Sequence, residues 1–293
     1  MKRMLICSIL SLLTPAAGLL EAATQVLLSD SENNRVSLYV VNGSVWSKKA
    51  DLIWPGMYDG IEFLEPVGMA LAGDDIYVST RNAILRFNRE GVFKGIPARR
   101  YRNYEGIADG LAVDTRGNLY FTAPWGSLVG RIYKVTEPAG ANPQVIALVS
   151  EGLDKPRSLV IGHNGNLFVA DRGNGSVKEF TLDGKFVQTL ADNLRDVQAL
   201  SWDAKTKGYL ISHGPMGAQS IARLTVNGVL EPIFINQGGT GQTGFDNTLD
   251  VKRIEGRIFA RNIEYKQIDL VEDIQSYSTA LKDVGGGVML VLP

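Results

Sequence analysis

The sequence contains a single cysteine, Cys7, and only two histidines, His163 and His213, in 293 residues. Cys7 lies within the apolar run Met4–Leu13, behind Lys2 and Arg3 and ahead of the small residues of Pro15–Gly18. That order is the pattern of a secretory signal peptide, with cleavage expected after Ala17, after Gly18 or near Ala22–Ala23. The run is about 10 residues, and a membrane span needs about 20, so no stable membrane insertion is expected after cleavage. A lipoprotein would need a small residue before the cysteine, where Ile6 stands. The mature protein is therefore expected to have no thiol, no disulfide and no cysteine-based metal site. Residues 1–23 are assigned to the signal and 24–293 to one domain, placed outside the cell or in the periplasm.

Neither sign of charge is in excess. Thirty basic against 31 acidic residues give a formal charge of -1, which argues against a nucleic-acid partner or a polybasic membrane surface. Two histidines cannot supply a three-histidine zinc site. The sequence has no Gly-x-Ser-x-Gly nucleophile elbow, no low-complexity segment and no long amphipathic helical stretch.

What is present is repetition. The segment Lys155–Leu190, KPRSLVIGHNGNLFVADRGNGSVKEFTLDGKFVQTL, holds four apolar runs divided by HNGN, DRGNG and LDGK. Asn, Asp and Gly accept the positive φ of tight turns, so the segment predicts a four-stranded antiparallel meander. Its first two strands recur as GMALAGDDIYVST, GLAVDTRGNLYFT, QALSWDAKTKGYLIS and LDVKRIEGRIFAR, spaced about 40 to 50 residues apart. These make five units. The sixth is split, because VLLSDSENNRVSLYV from Val26 has no inner strand before it and Val288–Leu292 has no blade of its own. The expected fold is an all-β, six-bladed β-propeller with four-stranded antiparallel blades. The C-terminal strand closes the first blade and leaves no unpaired central edge.

In such a ring, the connections entering inner strands and those joining second to third strands share one face, here the upper face. Around the axis this topology gathers Glu65, Asp109, Arg157, Asp196, Asn247 and Asp250. Farther out it gathers Arg81, Trp125, Asp171, Arg172, His213, Arg261 and Asn262. Converging carboxylates repel unless a cation or a basic partner balances them. Glu65, Asp109, Asp196 and Asp250 are thus candidate ligands for a divalent ion, calcium above all, or partners of Arg157 and Arg261. Trp125 could stack on a sugar ring; Arg157, Arg261 and Asn247 are further candidate ligand-binding residues. His213 and Asp109 are the candidate catalytic pair. Asp30, Asp114 and Asp171 read as turn-capping carboxylates, and His163 as a turn residue of the lower face.

VADRGNGSVKEFTLDGKFVQTL and LLSDSENNRVSLYVVNG resemble NHL repeats, in which a strand ending in Ala-Asp meets an Asn-rich turn, then Arg-Val and an aromatic. DGLAVDTRGNLYFT is similar to units of the gluconolactonase/regucalcin branch of six-bladed, calcium-dependent propellers. The resemblance spans nearly all the mature chain. It implies the propeller fold, but that fold hosts hydrolases, lyases and plain binders. The three-histidine zinc site of the NHL-type amidating lyases cannot be built here. Of the gluconolactonase ligand set only Asp109, before Gly110, matches; Glu65-Pro66 lacks the intervening glycine and Ser158 stands where an asparagine is expected. Two functions follow as expectations. One is an exported propeller binding a small-molecule or carbohydrate ligand, or an extracellular protein. The other is a metal-dependent hydrolase or lyase of the gluconolactonase-like class, with calcium the metal expected, acting on a lactone or sugar-derived substrate.

Overall fold

The computed structural model describes residues 23–99, 110–123, 130–215, 217–236 and 247–293. It is all β among those residues: six four-stranded antiparallel sheets and one small hairpin. Blade 1 is built from Met289–Val291, Thr24–Asp30, Arg35–Asn42 and Val45–Ile53. Its inner strand comes from the C-terminal end, with Leu28 opposite Met289 and Val26 opposite Val291. Blade 2 runs from Met69 to Arg99, blade 3 from Leu111 to Val149 and blade 4 from Pro156 to Ala191. Blade 5 runs from Leu200 to Phe234 and blade 6 from Thr248 to Lys282. The extra hairpin, Met57–Tyr58 with Ile61–Glu62, sits between blades 1 and 2 and turns through Asp59 and Gly60, both at positive φ.

The core is radial. Alternate residues of each second strand point to opposite neighbours, as the period of a strand dictates. Leu27 packs toward blade 2 with Phe63, Ile76 and Val78, while Val26 and Leu28 pack toward blade 6 with Phe259 and Ile268. Six such apolar clusters form, one for each blade-to-blade interface.

A chain of hydroxyls ties the ring near its upper face. Aligned on register, one position near the upper end of the second strands reads Ser29, Ser79, Thr122, Ala170, Ser212 and Arg261. Each hydroxyl accepts an N–H from its own inner strand: Val288, Gly68, Gly110 and Ala199 donate at 2.8, 2.8, 3.0 and 3.0 Å. Ser29, Thr122 and Ser212 then donate to a carbonyl of the following blade, Val67, Arg157 and Thr248, at 2.7, 2.6 and 2.9 Å. Blade 4 has alanine there, and Ser158 bridges to the Leu200 carbonyl instead, at 2.9 Å.

Candidate functional site

Four residues preceding the inner strands adopt the left-handed conformation although none is glycine: Glu65, Lys155, Asp196 and Asn247, with φ of 50, 47, 53 and 53°. Each departs from the favoured regions at roughly 1 kcal/mol, and such departures cluster where a surface is being shaped. Three of these four positions are among the sequence candidates.

Their side chains do not form one donor set. Glu65 pairs with Arg81 at 3.3 Å at the exposed rim, and its N–H donates to the Asn34 side chain. Asp196 takes the Arg172 guanidinium on one oxygen. Asn247 donates weakly to Glu264 at 3.4 Å. Asp250 is buried; it accepts the Met289 N–H at 2.8 Å and has the Lys252 amine at 3.5 Å. Among the described residues no three His, Cys, Asp or Glu side chains stand close enough to share a metal ion. Asp109 and Trp125 lie outside the described residues.

Arg261 takes the place of the missing sixth hydroxyl. It is fully buried, and its nitrogens donate to the carbonyls of Ser29 at 2.5 Å, of Val288 at 3.2 Å and of Gly285 at 3.1 Å from Nε. Burial lowers the guanidinium to about 10, against the pull of Asp30 and Asp250, so it stays charged at neutral pH. Arg261 and Asp250 thus lie at the junction where blade 6 meets the closing strand.

Arg157 reaches across the axis side of blade 4 to Gln198 Oε1 at 3.4 Å. His213 ends the second strand of blade 5, and burial holds its imidazole below the usual value, hence neutral at pH 7. His163 lies on the lower face, stacked on Trp202 at 5.6 Å with Nδ1 3.2 Å from the Tyr209 hydroxyl. Asp30 and Asp171 each bind an asparagine three residues on, Asn33 and Asn174, at 2.8 and 2.7 Å. Asp114 accepts the N–H groups of Arg116 and Asn118.

Between blades 5 and 6 the upper face holds polar atoms that nothing satisfies. Asn262 ends the second strand of blade 6, on the same side as Ala260, and is fully buried. Neither its Nδ2 nor its Oδ1 has a hydrogen-bond partner among the described residues. Thr248, its partner across the strand pair, is also fully buried with an unpartnered Oγ1. The Gln198 Nε2 and the Asp196 Oδ2 are buried and unpartnered as well, on the other side of blade 5, where Arg157 and Arg172 of blade 4 bond the remaining oxygens of these side chains. Hydrogen bonds tie Thr248 to blade 5. Gln219 Oε1 accepts the Thr248 N–H at 2.5 Å, Gln219 Nε2 reaches the Asp196 carbonyl at 3.4 Å, and Ser212 bonds both Ala199 and Thr248. Leaving a buried polar group unmade costs about 1–3 kcal/mol, so the Asn262 and Thr248 side chains mark a place prepared for something else. Gln198, Gln219 and Thr248 carried no signal in the sequence; Asn262 was placed on the upper face but not as a ligand group.

No protein-family model matches the chain, and no curated protein sequence matches it. Solved structures do. A chain of the nidogen/laminin complex is similar at 16% identity and TM-score 0.62, covering 88% of this chain and 98% of that one. A Thermus thermophilus oxidoreductase described as a glucose dehydrogenase gives 17%, 0.61, and 75% against 85%. A catalytically inactive virginiamycin B lyase from Staphylococcus aureus, crystallised with quinupristin, gives 13%, 0.59, and 92% of each chain. Identities this low establish the six-bladed propeller and nothing finer, and the three neighbours do different things.

Proposed function

We propose that this protein is an exported propeller that binds an uncharged, polyhydroxylated ligand, carbohydrate in character, on its upper face between blades 5 and 6. The observation that carries this reading is the fully buried Asn262 carboxamide with neither polar atom partnered. Across the strand pair stands the unpartnered Thr248 hydroxyl, while the Gln198 amide nitrogen and the Asp196 carboxylate oxygen lie on the side of blade 5 that faces blade 4. Asp196 is already matched by Arg172, so the group offers no surplus charge for an ionic ligand. Paired donors and acceptors without net charge suit hydroxyl groups, each of which gives one proton and accepts others.

Substituting Asn262→Val separates binding from folding. Replacing an orphan amide by an apolar group of similar size should raise apo stability by about 1–2 kcal/mol. The ligand-dependent rise in melting temperature, about 2.7 kcal/mol of stabilisation at a hundredfold excess over Kd in the parent protein, should disappear. A variant that melts lower without ligand and still responds to saccharide would defeat the reading.

A second reading is a metal-dependent hydrolase or lyase acting on a lactone or sugar-derived substrate. It is supported by the unpartnered Asp196 Oδ2, an oxygen a calcium ion could take, beside a neutral His213 able to move a proton. Glu65 and Asp250 are engaged elsewhere, so the set does not fit one ion and no step is drawn through a metal. Calcium, magnesium and zinc titrations of the parent protein and of Asp109→Asn, with a lactone panel, test it.

A further inference from the structure

The face of blade 6 that meets blade 5 changes character along its height. Its lower part is apolar, with Ile258 and Val271 clustered with Leu210, Ile221 and Phe234 of blade 5. Its upper part is polar, although buried. Residues two apart on a strand share a side, so Asp269 stands on this face with Val271, and Asn262 with Ala260 and Ile258. Register sets Asn262 opposite Gln267 and Asp269 opposite Ala260, which puts Asp269 one row beneath Asn262. Both are fully buried. Gln267 donates to Asp269 Oδ1 at 2.8 Å, while Asp269 Oδ2 has no partner, like both polar atoms of Asn262.

No ion pair accounts for this carboxyl. Its own blade sets Gln267, Ala260 and Thr279 beside it, with Tyr277 farther along the outer strand and Lys282, opposite Gln267, exposed. On the facing side of blade 5 the charged residues Arg223 and Glu231 hold each other. His213 lies on the other side of that blade, with Tyr209 and Ile211 against blade 4. Among the described residues, only burial and the hydrogen bonds of Gln267 and Thr279 bear on the group, and they leave it at about 6. A carboxylate so buried, with one oxygen open, needs a proton donor. An ammonium would bring its own desolvation cost to a buried ion pair. A hydroxyl avoids that cost; it can donate to Asp269 and accept from the Asn262 amide. We infer that Asp269 is the second anchor of the blade 5–6 site, its open oxygen accepting a hydroxyl of the saccharide that Asn262 holds, and that binding is coupled to the ionisation of this carboxyl. This coupling presupposes that the site takes a saccharide. Hydrogen bonding to the carboxylate form favours it, so uptake expels a proton where the free site still holds one. Affinity is then highest above about pH 7 and falls on acidification through about 6. With the occupied group back at its ordinary value of about 4, the loss at pH 5 is about tenfold.

Isothermal calorimetry of the parent protein with glucose, galactose, mannose, maltose and cellobiose tests the coupling at about pH 7.5, 6 and 5, in pairs of buffers differing in ionisation enthalpy. For a sugar that binds, Kd should rise about tenfold from pH 7.5 to 5, and the buffer dependence at pH 6 should show about half a proton released. Asp269→Asn should bind at pH 7.5 about as weakly as the parent at pH 5. It should release no proton and lose the pH dependence. A parent protein that binds one of these sugars equally at all three pH values, or proton release that persists in Asp269→Asn, overturns the coupling and leaves the carbohydrate reading standing. Failure of every neutral sugar to bind overturns both. Proton release is read on the parent, so a poorly folding variant does not block the test.

Discussion

Asp269 shows how much a single side chain can weigh against its own fold. It lies on the third strand of blade 6, fully buried, with Gln267 donating to Oδ1 at 2.8 Å and no partner for Oδ2 among the described residues. Burial pushes its carboxyl up to about 6, against the opposing hydrogen bonds of Gln267 and Thr279. The folded state therefore holds a proton that the unfolded chain has released above about 4. Stability linked to this group is present at low pH and is lost as pH rises from about 4 through 6, amounting to about 3 kcal/mol at neutrality. Asp269→Asn keeps the shape and removes the titration. It should raise the melting temperature at pH 7 and flatten the profile between pH 4 and 6; a lower melting temperature at pH 7 would refute the assignment. His213 has the opposite slope: held neutral, it contributes stability that is lost as pH falls below about 6.5. Neither shift could be read from the sequence, because an aspartate on a strand looks the same whether its face meets water or a neighbouring blade.

At the scale of elements, strands and turns were legible and the fastenings between them were not. The meander of Lys155–Leu190 was evident from alternating apolar runs and Asn-Gly turns, and the split first blade followed from an N-terminal unit without an inner strand. The latch was hidden. Arg261 falls where four of the other five blades carry Ser or Thr, a departure visible only once second strands are aligned by register. The sequence places it on the upper face, away from the axis, as a candidate ligand-binding residue, whereas its guanidinium is buried among closing-strand carbonyls. Gly287 belongs to the same latch, since a Cβ there would lie 2.3 Å from Ser29 Oγ and its φ is +143°. Arg261→Met should cost about 3–5 kcal/mol, because it leaves Asp30 and Asp250 without their buried counter-charge. Deleting Val288–Pro293 should go further and abolish cooperative unfolding, as both central edges become exposed. Unchanged melting of either variant would mean that the ring is not held at this junction.

Seen whole, the molecule is a ring of six interfaces, four of them crossed by a hydroxyl-to-carbonyl hydrogen bond and one by a charged latch, with the unpartnered Asn262 and Thr248 side chains between blades 5 and 6. The ring was foreseeable because repeats repeat. The site was not, because Gln198, Gln219, Thr248 and Asn262 are neutral residues with no motif, and only burial, with atoms of Gln198, Thr248 and Asn262 left unpartnered, sets them apart. The leading segment is tested by N-terminal sequencing of exported protein, which should begin near residue 24; an intact Met1 in a membrane fraction would contradict export. The account's central claim is that the upper face between blades 5 and 6 takes a neutral, hydroxyl-rich ligand. Calorimetric titration with a panel of neutral saccharides and polyols, set beside sugar acids and amino sugars of matched size, tests it most directly. Saturable binding of at least one neutral member, stronger than that of its charged counterparts and lost in Asn262→Val, is the predicted result; no binding across the neutral panel, or a preference for the charged members, would contradict it.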